Sequence, residues 1–327
     1  MTGGAGYVGS HAVKALVDAG YEVVVYDDLS AGHREATCGL PLVVGNILET
    51  DGLRQTIRQW NVKAVFHFAA SLSVAQSIRD PVGYYRQNVT GTLSLLEAMA
   101  AESIQFLILS STAAVYGDPL ETPIIETHPT KPINTYGETK LAVERALPHF
   151  GLAYGLRSIS LRYFNAAGAD PDGNLGEEHS PELHLIPCAI NAALEGRKLQ
   201  IFGNDYSTAD GTCLRDYVHV TDLAHAHVLA LSALEADKDS NVYNLGNGRP
   251  ISVLEVVRAV ERVTGSKICS NVVGRRSGDP AILTASSEKI KRELGWQPQY
   301  EELEQIVETA WRWRVSHPHG FKSRQLI

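Results

Sequence analysis

The chain opens on a glycine-rich turn whose spacing restricts its fold more than any other feature. The segment GGAGYVG spans residues 3–9 and contains glycines at chain positions 3, 6 and 9. In a strand-turn-helix unit, this spacing permits a tight turn, lets the backbone approach a pyrophosphate and packs the helix closely. The N-terminus of the following helix adds backbone donors and a partial positive charge. The turn therefore predicts a dinucleotide site in a doubly wound, parallel α/β sheet of the Rossmann type.

A buried strand should precede this turn, yet only Met1 and Thr2 stand before it. About five buried aliphatic residues at roughly 1.5–3 kcal/mol each would be a large part of a domain stability of roughly 5–15 kcal/mol. We therefore hypothesise that the first strand is missing from this sequence, through a misplaced start or a truncation.

The alternation of apolar runs and amphipathic stretches supports the α/β prediction. After residue 165 it breaks in a stretch rich in Gly, Pro and Asp at 169–181, which predicts a loop into a smaller lobe. We predict an NAD-binding domain at 1–165, with 217–245 returning to it, and a smaller α/β substrate lobe at 166–216 and 246–327. Strands are predicted at 22–26, 42–45, 64–69, 106–110, 158–164 and 241–245, and helices at 8–19, 51–60, 84–101, 136–150, 220–234 and 252–264.

A second motif, YGETK at 136–140, places a phenol and an ammonium four residues apart. On a helix, residues i and i+4 share a face, so Tyr136 and Lys140 should point into one cleft. A fixed ammonium stabilises tyrosinate, so we expect the phenol to act as a general base well below its ordinary pKa of about 10. With the glycine turn, this motif indicates a redox enzyme that acts on a sugar or alcohol hydroxyl.

Asp27 stands 18 residues after Gly9, at the end of the second predicted strand. A carboxylate at this place accepts hydrogen bonds from the adenosine ribose hydroxyls and repels a 2′-phosphate. The cofactor is therefore predicted to be NAD rather than NADP.

Charge and histidine placement exclude several other classes. The formal net charge of −8 argues against nucleic-acid and membrane-surface partners, which need an extended basic face. Four cysteines without disulfide or metal spacing favour a cytoplasmic location. His225 and His227 are two residues apart on a predicted helix and do not face one way, so no metal site is predicted.

Several further segments make the chain similar to a known family. They are TGGAGYVGSH at 2–11, HFAA at 67–70, SSTAAVYG at 110–117, LRYFNAAGA at 161–169, IFGNDYSTADGTCLRDYVHVTDLAHAH at 201–227, YNLGNG at 243–248 and RRSGD at 275–279. With the two motifs above, they resemble the extended short-chain dehydrogenase/reductases and, within these, the UDP-glucose 4-epimerase family. The resemblance extends from Thr2 to about Gly320.

The resemblance implies NAD-dependent inversion at C4 of a UDP-sugar. Tyr136 would take the proton of the 4-hydroxyl while C4 gives its hydride to NAD+, assisted by Lys140. The resulting 4-keto sugar would rotate and take the hydride back on its other face. Thr112 would hydrogen-bond the reacting oxygen.

The resemblance also assigns the binding residues. Cofactor contacts would come from Gly3, Gly6, Tyr7, Val8, Gly9, Asp27, Asn46, Ile47, Phe68, Ala69, Ala70, Asn88, Tyr136, Lys140 and Phe164. Arg215 and Arg276 would bind the diphosphate, and Phe202 and Leu185 would flank the uracil. The other substrate contacts would be Thr112, Asn165, His184, Tyr217, Asp279 and Leu283.

This chain departs from the family pattern at three places. Leu72 replaces a lysine near the cofactor, which predicts looser retention of NAD, and Asn46-Ile47 replaces an Asp-Ile pair at the adenine. Leu283 stands where a tyrosine in relatives favours unmodified hexoses. UDP-glucose and UDP-galactose are the expected substrates, with UDP-N-acetylhexosamines and UDP-pentoses as alternatives.

Other functions are less well supported. Nucleotide-sugar dehydratases need an Asp-Glu pair after the Ser/Thr of the loop, and some decarboxylases need a glutamate there, whereas this chain has Ala113-Ala114. A net dehydrogenase and a non-catalytic NAD-binding scaffold stay open, because a fold does not determine a function. The predicted helices 84–101 and 134–150 carry apolar residues on more than one side, and family members dimerise through them, so a homodimer is expected.

Overall fold

The computed structural model describes residues 1–276 and 278–321. Its strands are β1 (Val25–Asp27), β2 (Leu42–Val44), β3 (Ala64–His67), β4 (Phe106–Thr112), β5 (Arg157–Tyr163), β6 (Asn165–Ala167), β7 (Leu199–Phe202), β8 (Leu214–Arg215), β9 (Tyr217–His219), β10 (Asn241–Leu245), β11 (Ile251–Ser252), β12 (Ser270–Val273) and β13 (Ile282–Leu283). Its helices are α1 (Tyr7–Asp18), α2 (Thr50–Gln59), α3 (Val74–Arg79), α4 (Pro81–Tyr84), α5 (Gly91–Ala101), α6 (Thr135–Tyr154), α7 (Leu185–Glu195), α8 (Val220–Glu235), α9 (Val253–Thr264), α10 (Glu288–Leu294) and α11 (Leu303–Ser316).

The central sheet is parallel, which confirms the predicted fold class. Four strands lie in the order β10-β5-β4-β3, and β1 pairs with β2 in the same direction. β10 pairs with β5 over its whole length, so the chain comes back to this sheet after the second lobe. The predicted domain limits at residues 165, 217 and 245 stay predictions.

Met1 and Thr2 occupy the place between β1 and β3 where a first strand would run. Thr2 bridges both Tyr26 and His67 in the parallel sense. The Tyr26 amide donates to the Met1 carbonyl at 2.7 Å, and the Phe68 amide donates to the Thr2 carbonyl at 2.9 Å. These two residues join the two halves of the sheet, which the hypothesis of a missing strand did not anticipate.

Helices cover both faces of the sheet because side chains alternate along its strands. On β4, Ile108 packs on one face with α8 residues such as Leu231. Leu107 and Leu109 pack on the other face with residues of α2, α5 and α6 such as Leu96. α6 therefore crosses the sheet on the face that carries α2 and α5. No helix among the described residues is both long and apolar enough to cross a membrane.

The helix predicted over 84–101 is continuous, and it begins slightly earlier, at Pro81. It contains a feature that was not predicted, a π-helical turn at Tyr85–Thr90 between α4 and α5. A π turn inserts an extra residue into the helical ladder, and such turns are frequent at functional sites. Asn88 lies in this turn and is buried.

The second lobe packs α7, α9 and α11 around a separate apolar core. This core includes Ile190, Val256 and Ile306. Short strands pair with one another outside the central sheet: β8 pairs with β11 and β13, and β6 pairs with β9. β6 follows β5 after one residue, and Leu283 of β13 packs near Ala113, just after β4. The carboxyl ends of β4 and β5 thus face a lobe built from the second half of the chain.

Candidate active site

The glycine turn needs glycine at two positions for reasons that the structure makes explicit. Gly3 has a φ of +71°, and a Cβ placed there would lie 2.4 Å from the Ala69 amide nitrogen. A Cβ on Gly9 would lie 2.2 Å from the Gly3 carbonyl oxygen. Both distances are far shorter than van der Waals contact. The turn and α1 can pack this closely only without side chains at these two positions.

The N-terminus of α1 is open for an anion. Gly6 is its N-cap and supplies no capping side chain. A Cβ on Gly6 would meet only the Gly3 carbonyl at 3.5 Å, so the space in front of the first helical turn is not filled by the protein. Backbone donors and the helix dipole at this place suit a pyrophosphate, and the residues present fit a dinucleotide.

Asp27 lies at the end of β1 and holds the glycine turn. Its Oδ2 accepts from the Ala5 amide at 3.0 Å, and its Oδ1 accepts from the Leu29 amide at 2.9 Å. Burial raises the pKa of this carboxyl, and the two amide hydrogen bonds oppose the rise. The structure therefore places Asp27 directly beside the turn, as the prediction of a ribose contact requires.

The other predicted cofactor residues lie along the same edge of the sheet. Asn46 Nδ2 donates to Asp28, and Ile47 is buried. Asn88 exchanges hydrogen bonds with both backbone groups of Ser71, just after Ala70. Leu72, the predicted departure, is 44% exposed.

Tyr136 and Lys140 project from the first turns of α6 toward the end of β4, as their spacing predicts. The Lys140 ammonium is buried and donates to the Ser110 carbonyl at 2.9 Å. Tyr136, on the same face of α6, lies near Thr112, the last residue of β4. The last residues of β4 therefore hold both members of the motif.

Thr112 has two roles in the structure. Its Oγ1 accepts from the Ala114 amide at 3.1 Å and so caps a short 3-10 turn at Ala113–Val115. The same side chain lowers the pKa of the nearby Tyr136 phenol. The cap orients Thr112 for its contact with the phenol.

The expectation of a low pKa for the phenol is wrong for the chain by itself. Burial raises the pKa of Tyr136 to about 12, and the hydrogen bond to Thr112 lowers it only in part. Burial also lowers the pKa of Lys140 to about 8, although the negative charge of Glu144 acts in the opposite direction. In the chain without its cofactor, loss of hydration therefore disfavours the charged form of each group.

A buried ion pair behind the motif was not predicted. The Arg162 guanidinium donates from Nε to Glu144 Oε1 at 3.0 Å, and Ser111 also donates to Glu144. Glu144 is four residues after Lys140, so it continues the same face of α6. The i, i+4 spacing of 136, 140 and 144 was the only signal of this pair in the sequence.

The predicted diphosphate and uracil residues meet in two pairs. The Arg276 guanidinium carbon stacks 3.9 Å from the centre of the Phe202 ring. The Arg215 guanidinium pairs with Asp279, and Arg215 is 8% exposed. The resemblance implied substrate contact for all four residues. Each pair joins a residue that precedes α9 in the chain with one that follows it.

Strand pairing connects this group to the catalytic motif. Leu283 of β13 lies opposite Arg215 of β8. It also packs against the apolar cluster that includes Ala113 and Phe164. Asn165 lies opposite Tyr217 in the β6-β9 pair. The predicted sugar-gating residue thus stands between the arginine and the loop after Thr112.

His184 and Leu185 begin α7, but His184 has partners that were not predicted. Its Nδ1 contacts Glu177, and Glu177 also pairs with His179 at 3.2 Å. With Glu182 these residues form a compact cluster of possible metal ligands. The four residues lie in a loop without periodicity, and only their spacing, E-x-H-x-x-E-x-H, could have revealed the cluster.

The two histidines considered in the sequence do not take part in this cluster. His225 is exposed on α8, and His227 is buried with its ring 4.7 Å from that of Phe68. Both therefore behave as the surface or packing residues that were predicted.

Comparison with known proteins identifies a family. Residues 1–246 match the NAD dependent epimerase/dehydratase family. UDP-glucose 4-epimerase of Halalkalibacterium halodurans is 48% identical over 99% of this chain and 97% of its own. One crystal structure of a UDP-glucose 4-epimerase superposes with a TM-score of 0.94 at 50% identity, covering 98% of both chains. The UDP-glucose 4-epimerase from Brucella ovis in complex with NAD has a TM-score of 0.92 at 47% identity, covering 95% of this chain and 96% of that chain.

Proposed function

This chain belongs to the NAD dependent epimerase/dehydratase family, and we propose that Tyr136, Lys140 and Thr112 carry its reaction on UDP-galactose and UDP-glucose. The activity is NAD-dependent epimerisation at C4 of a UDP-sugar, so the enzyme is an isomerase. The glucose and galactose pair is the more specific proposal, supported by the names of the relatives.

Tyr136 performs the proton transfer in this proposal. Its phenolate accepts the proton of the sugar 4-hydroxyl and returns a proton to the same oxygen after inversion. Bound NAD supplies the redox chemistry and a positive charge that favours the phenolate, which burial otherwise disfavours. Lys140, held by the Ser110 carbonyl, adds positive charge on the same face of α6.

The second lobe anchors the nucleotide while the sugar turns. Inversion needs a keto sugar that rotates without leaving, so binding energy must come from a part of the substrate that does not react. Arg276 stacked on Phe202 and Arg215 beside Asp279 offer guanidinium forks and an aromatic face for this purpose. The residues assigned to the uracil and diphosphate are therefore the anchor.

The observation that carries the proposal is the position of Lys140 against the Ser110 carbonyl at the end of β4, where Thr112 is followed by two alanines. Ala113 is buried directly after Thr112, and neither it nor Ala114 can transfer a proton. A dehydratase or decarboxylase needs an acid or base at this place. The site therefore supports reversible oxidation at C4 without further proton chemistry.

The direct test follows UDP-galactose by proton NMR at the anomeric position, first without and then with added NAD+. We expect UDP-glucose to form without net production of NADH, because the hydride returns to the sugar. Steady accumulation of NADH would identify a net dehydrogenase instead. No conversion under either condition would favour the scaffold alternative.

UDP-N-acetylhexosamines are a second substrate class, favoured by Leu283. Leu283 lies opposite Arg215 and packs against the cluster that includes Ala113, and a leucine occupies less space there than the tyrosine of relatives would. UDP-N-acetylgalactosamine and a UDP-pentose belong in the same NMR assay as further substrates. Faster turnover of the acetylated sugar than of UDP-galactose would make it the preferred substrate.

We also propose a homodimer formed through the helices of residues 81–101 and α6. Tyr85 is 46% exposed and Leu93 is 42% exposed, and Leu152 on α6 is 88% exposed. Burial of such apolar side chains against a second copy would stabilise association. Light scattering at micromolar protein should give twice the chain mass of 35.6 kDa, whereas a monomer mass would contradict the proposal.

We also propose a cytoplasmic location, which is inferred from the cysteine pattern.

A further inference from the structure

We propose that Glu177, His179, Glu182 and His184 bind one Zn²⁺ ion on the loop that precedes α7. Each side chain offers one donor atom, and these atoms all lie within 4.8 Å of one another. All four belong to eight consecutive residues, so the local chain path alone gathers them. The proton chemistry proposed for Tyr136 does not use them.

The donor atoms stand close to the spacing of a tetrahedral site. The Nδ1 of His179 is 3.2 Å from Glu177 Oε1 and 3.6 Å from Glu182 Oε2. The Nδ1 of His184 contacts Glu177 and lies 3.9 Å from Glu182 Oε1. Ligands about 2.0–2.2 Å from a tetrahedral Zn²⁺ are separated from one another by about 3.3–3.6 Å. Small side-chain movements would therefore complete the coordination.

The cluster is sheltered but accessible. The side chains of Glu177, Glu182 and His179 are 7%, 14% and 17% exposed, whereas His184 is 43% exposed and leaves a route for the ion. The backbone amides of Leu183 and His184 donate to Glu182 Oε1 at 2.8 and 2.9 Å. Such supporting hydrogen bonds orient a ligand carboxylate before the metal arrives.

The donor chemistry favours zinc over Mg²⁺ and Ca²⁺. Two imidazoles and two carboxylates suit Zn²⁺, whereas Mg²⁺ and Ca²⁺ prefer oxygen ligands throughout. Two carboxylate charges balance one divalent ion. The N-terminus of α7 opposes a cation with about half a unit of positive charge, which two full negative charges outweigh.

The competing state is a metal-free ion-pair cluster. Burial lowers the pKa of His179, but hydrogen bonds to Glu177 and Glu182 outweigh this and raise it to about 10. Zinc must displace the protons of these imidazoles before it binds. The experiment must therefore distinguish a zinc site from imidazolium-carboxylate pairs, which would hold the loop together without an ion.

An ion here would fasten the loop between the glycine turn and the second lobe. The Tyr7 hydroxyl donates to the Gly168 carbonyl at 2.6 Å, and the Tyr7 ring meets that of His179 edge-on with centroids 6.4 Å apart. α7 begins at Leu185, directly after the last ligand. With four protein ligands the site is structural. A role in positioning the uridine diphosphate rests on the proposed function, whereas zinc binding does not.

The test measures zinc directly in the full chain, purified without a polyhistidine tag. After removal of metals with a chelator, the protein is dialysed against ZnCl₂ and its zinc is counted by mass spectrometry. We expect one zinc per chain, and Co²⁺ in its place should give the strong visible absorption of a tetrahedral site. Loss of a residue that only hydrogen-bonds to a ligand lowers metal affinity by about 10–100-fold. Loss of a ligand itself should cost no less, so His179→Gln and Glu182→Gln should each lower zinc affinity by at least about tenfold.

Matched controls are His225→Gln and Glu121→Gln, exposed residues outside the loop, which should keep the zinc affinity of the wild type. Circular dichroism without metal checks that each variant folds. If a cluster variant does not fold, the zinc count and the Co²⁺ spectrum of the wild type decide whether the loop binds zinc. Substoichiometric zinc in the wild type, or unchanged affinity in the cluster variants, would leave an ion-pair cluster only. Because no readout needs turnover, failure of this site and failure of the epimerase proposal are distinguishable.

Discussion

Replacing Tyr136 by phenylalanine should lower kcat for the conversion of UDP-galactose by about 10²–10⁴-fold, the usual contribution of a general acid-base group. The substitution removes only the hydroxyl, so the ring still fills its place on α6. Thr112 keeps its hydrogen bond with the Ala114 amide and is not left without a partner. Arg215 and Arg276 are untouched, so KM should change little. Steady-state kinetics on the NAD-loaded enzyme measures both constants.

The matched control is Tyr243→Phe on β10, which removes the hydroxyl of a different tyrosine. That hydroxyl donates to Glu293 of α10 at 3.0 Å. This variant should keep kcat within a few-fold of the wild type while losing some thermal stability. If Tyr136→Phe and Tyr243→Phe have similar kcat values, the phenol of Tyr136 does not transfer the proton. The mechanism would then need another base near the end of β4.

Gly9→Ala should weaken NAD binding and also destabilise the fold, whereas Gly6→Ala should weaken NAD binding alone. The new Cβ at position 9 would lie 2.2 Å from the Gly3 carbonyl oxygen and 3.0 Å from the Gly4 Cα, so backbone must move. Overpacking of this kind costs about 1–3 kcal/mol. At position 6 the nearest atom is 3.5 Å away and φ is −83°, which alanine adopts easily.

Thermal unfolding without cofactor and calorimetric titration with NAD+ separate the two effects. Gly9→Ala should unfold several degrees below the wild type, since about 1 kcal/mol corresponds to roughly 2–4 °C in a domain of this size class. Gly6→Ala should unfold with the wild type but bind NAD more weakly, because its methyl group enters the space before α1. The control is Gly274→Ala. Gly274 is exposed, and a Cβ placed there would have no atom within 4 Å outside its chain neighbours. If Gly6→Ala binds NAD with the affinity of the wild type, the pyrophosphate does not bind at this turn.

Much of the fold was predictable because its signals are local. The apolar run at 64–69 and the glycine turn describe one element each, and the structure has a parallel strand and a turn into α1 there. The spacing of Tyr136 and Lys140 places them on one helix face in any helix. The π-helical turn at Tyr85–Thr90 was not predicted, because a π turn has the composition of an ordinary helix and shows no proline or glycine signal at its start.

The candidate site was predictable only in part. Its residues were recognised by resemblance, but their contacts were not. Asp279 meets Arg215 across 64 residues, and Arg276, in the segment after β12, stacks on Phe202 of β7. No period or spacing in a sequence describes which distant segments come together.

The sequence by itself determined the glycine turn, the paired Tyr136 and Lys140 and the alternation that builds a doubly wound sheet. Each of these depends on backbone geometry within a few residues. Only the tertiary structure decided the raised pKa of Tyr136, the partners of Arg215 and the cluster around Glu177. These depend on burial and on the neighbours that packing supplies, and the electrostatics of a buried group follow from its surroundings rather than from its place in the chain.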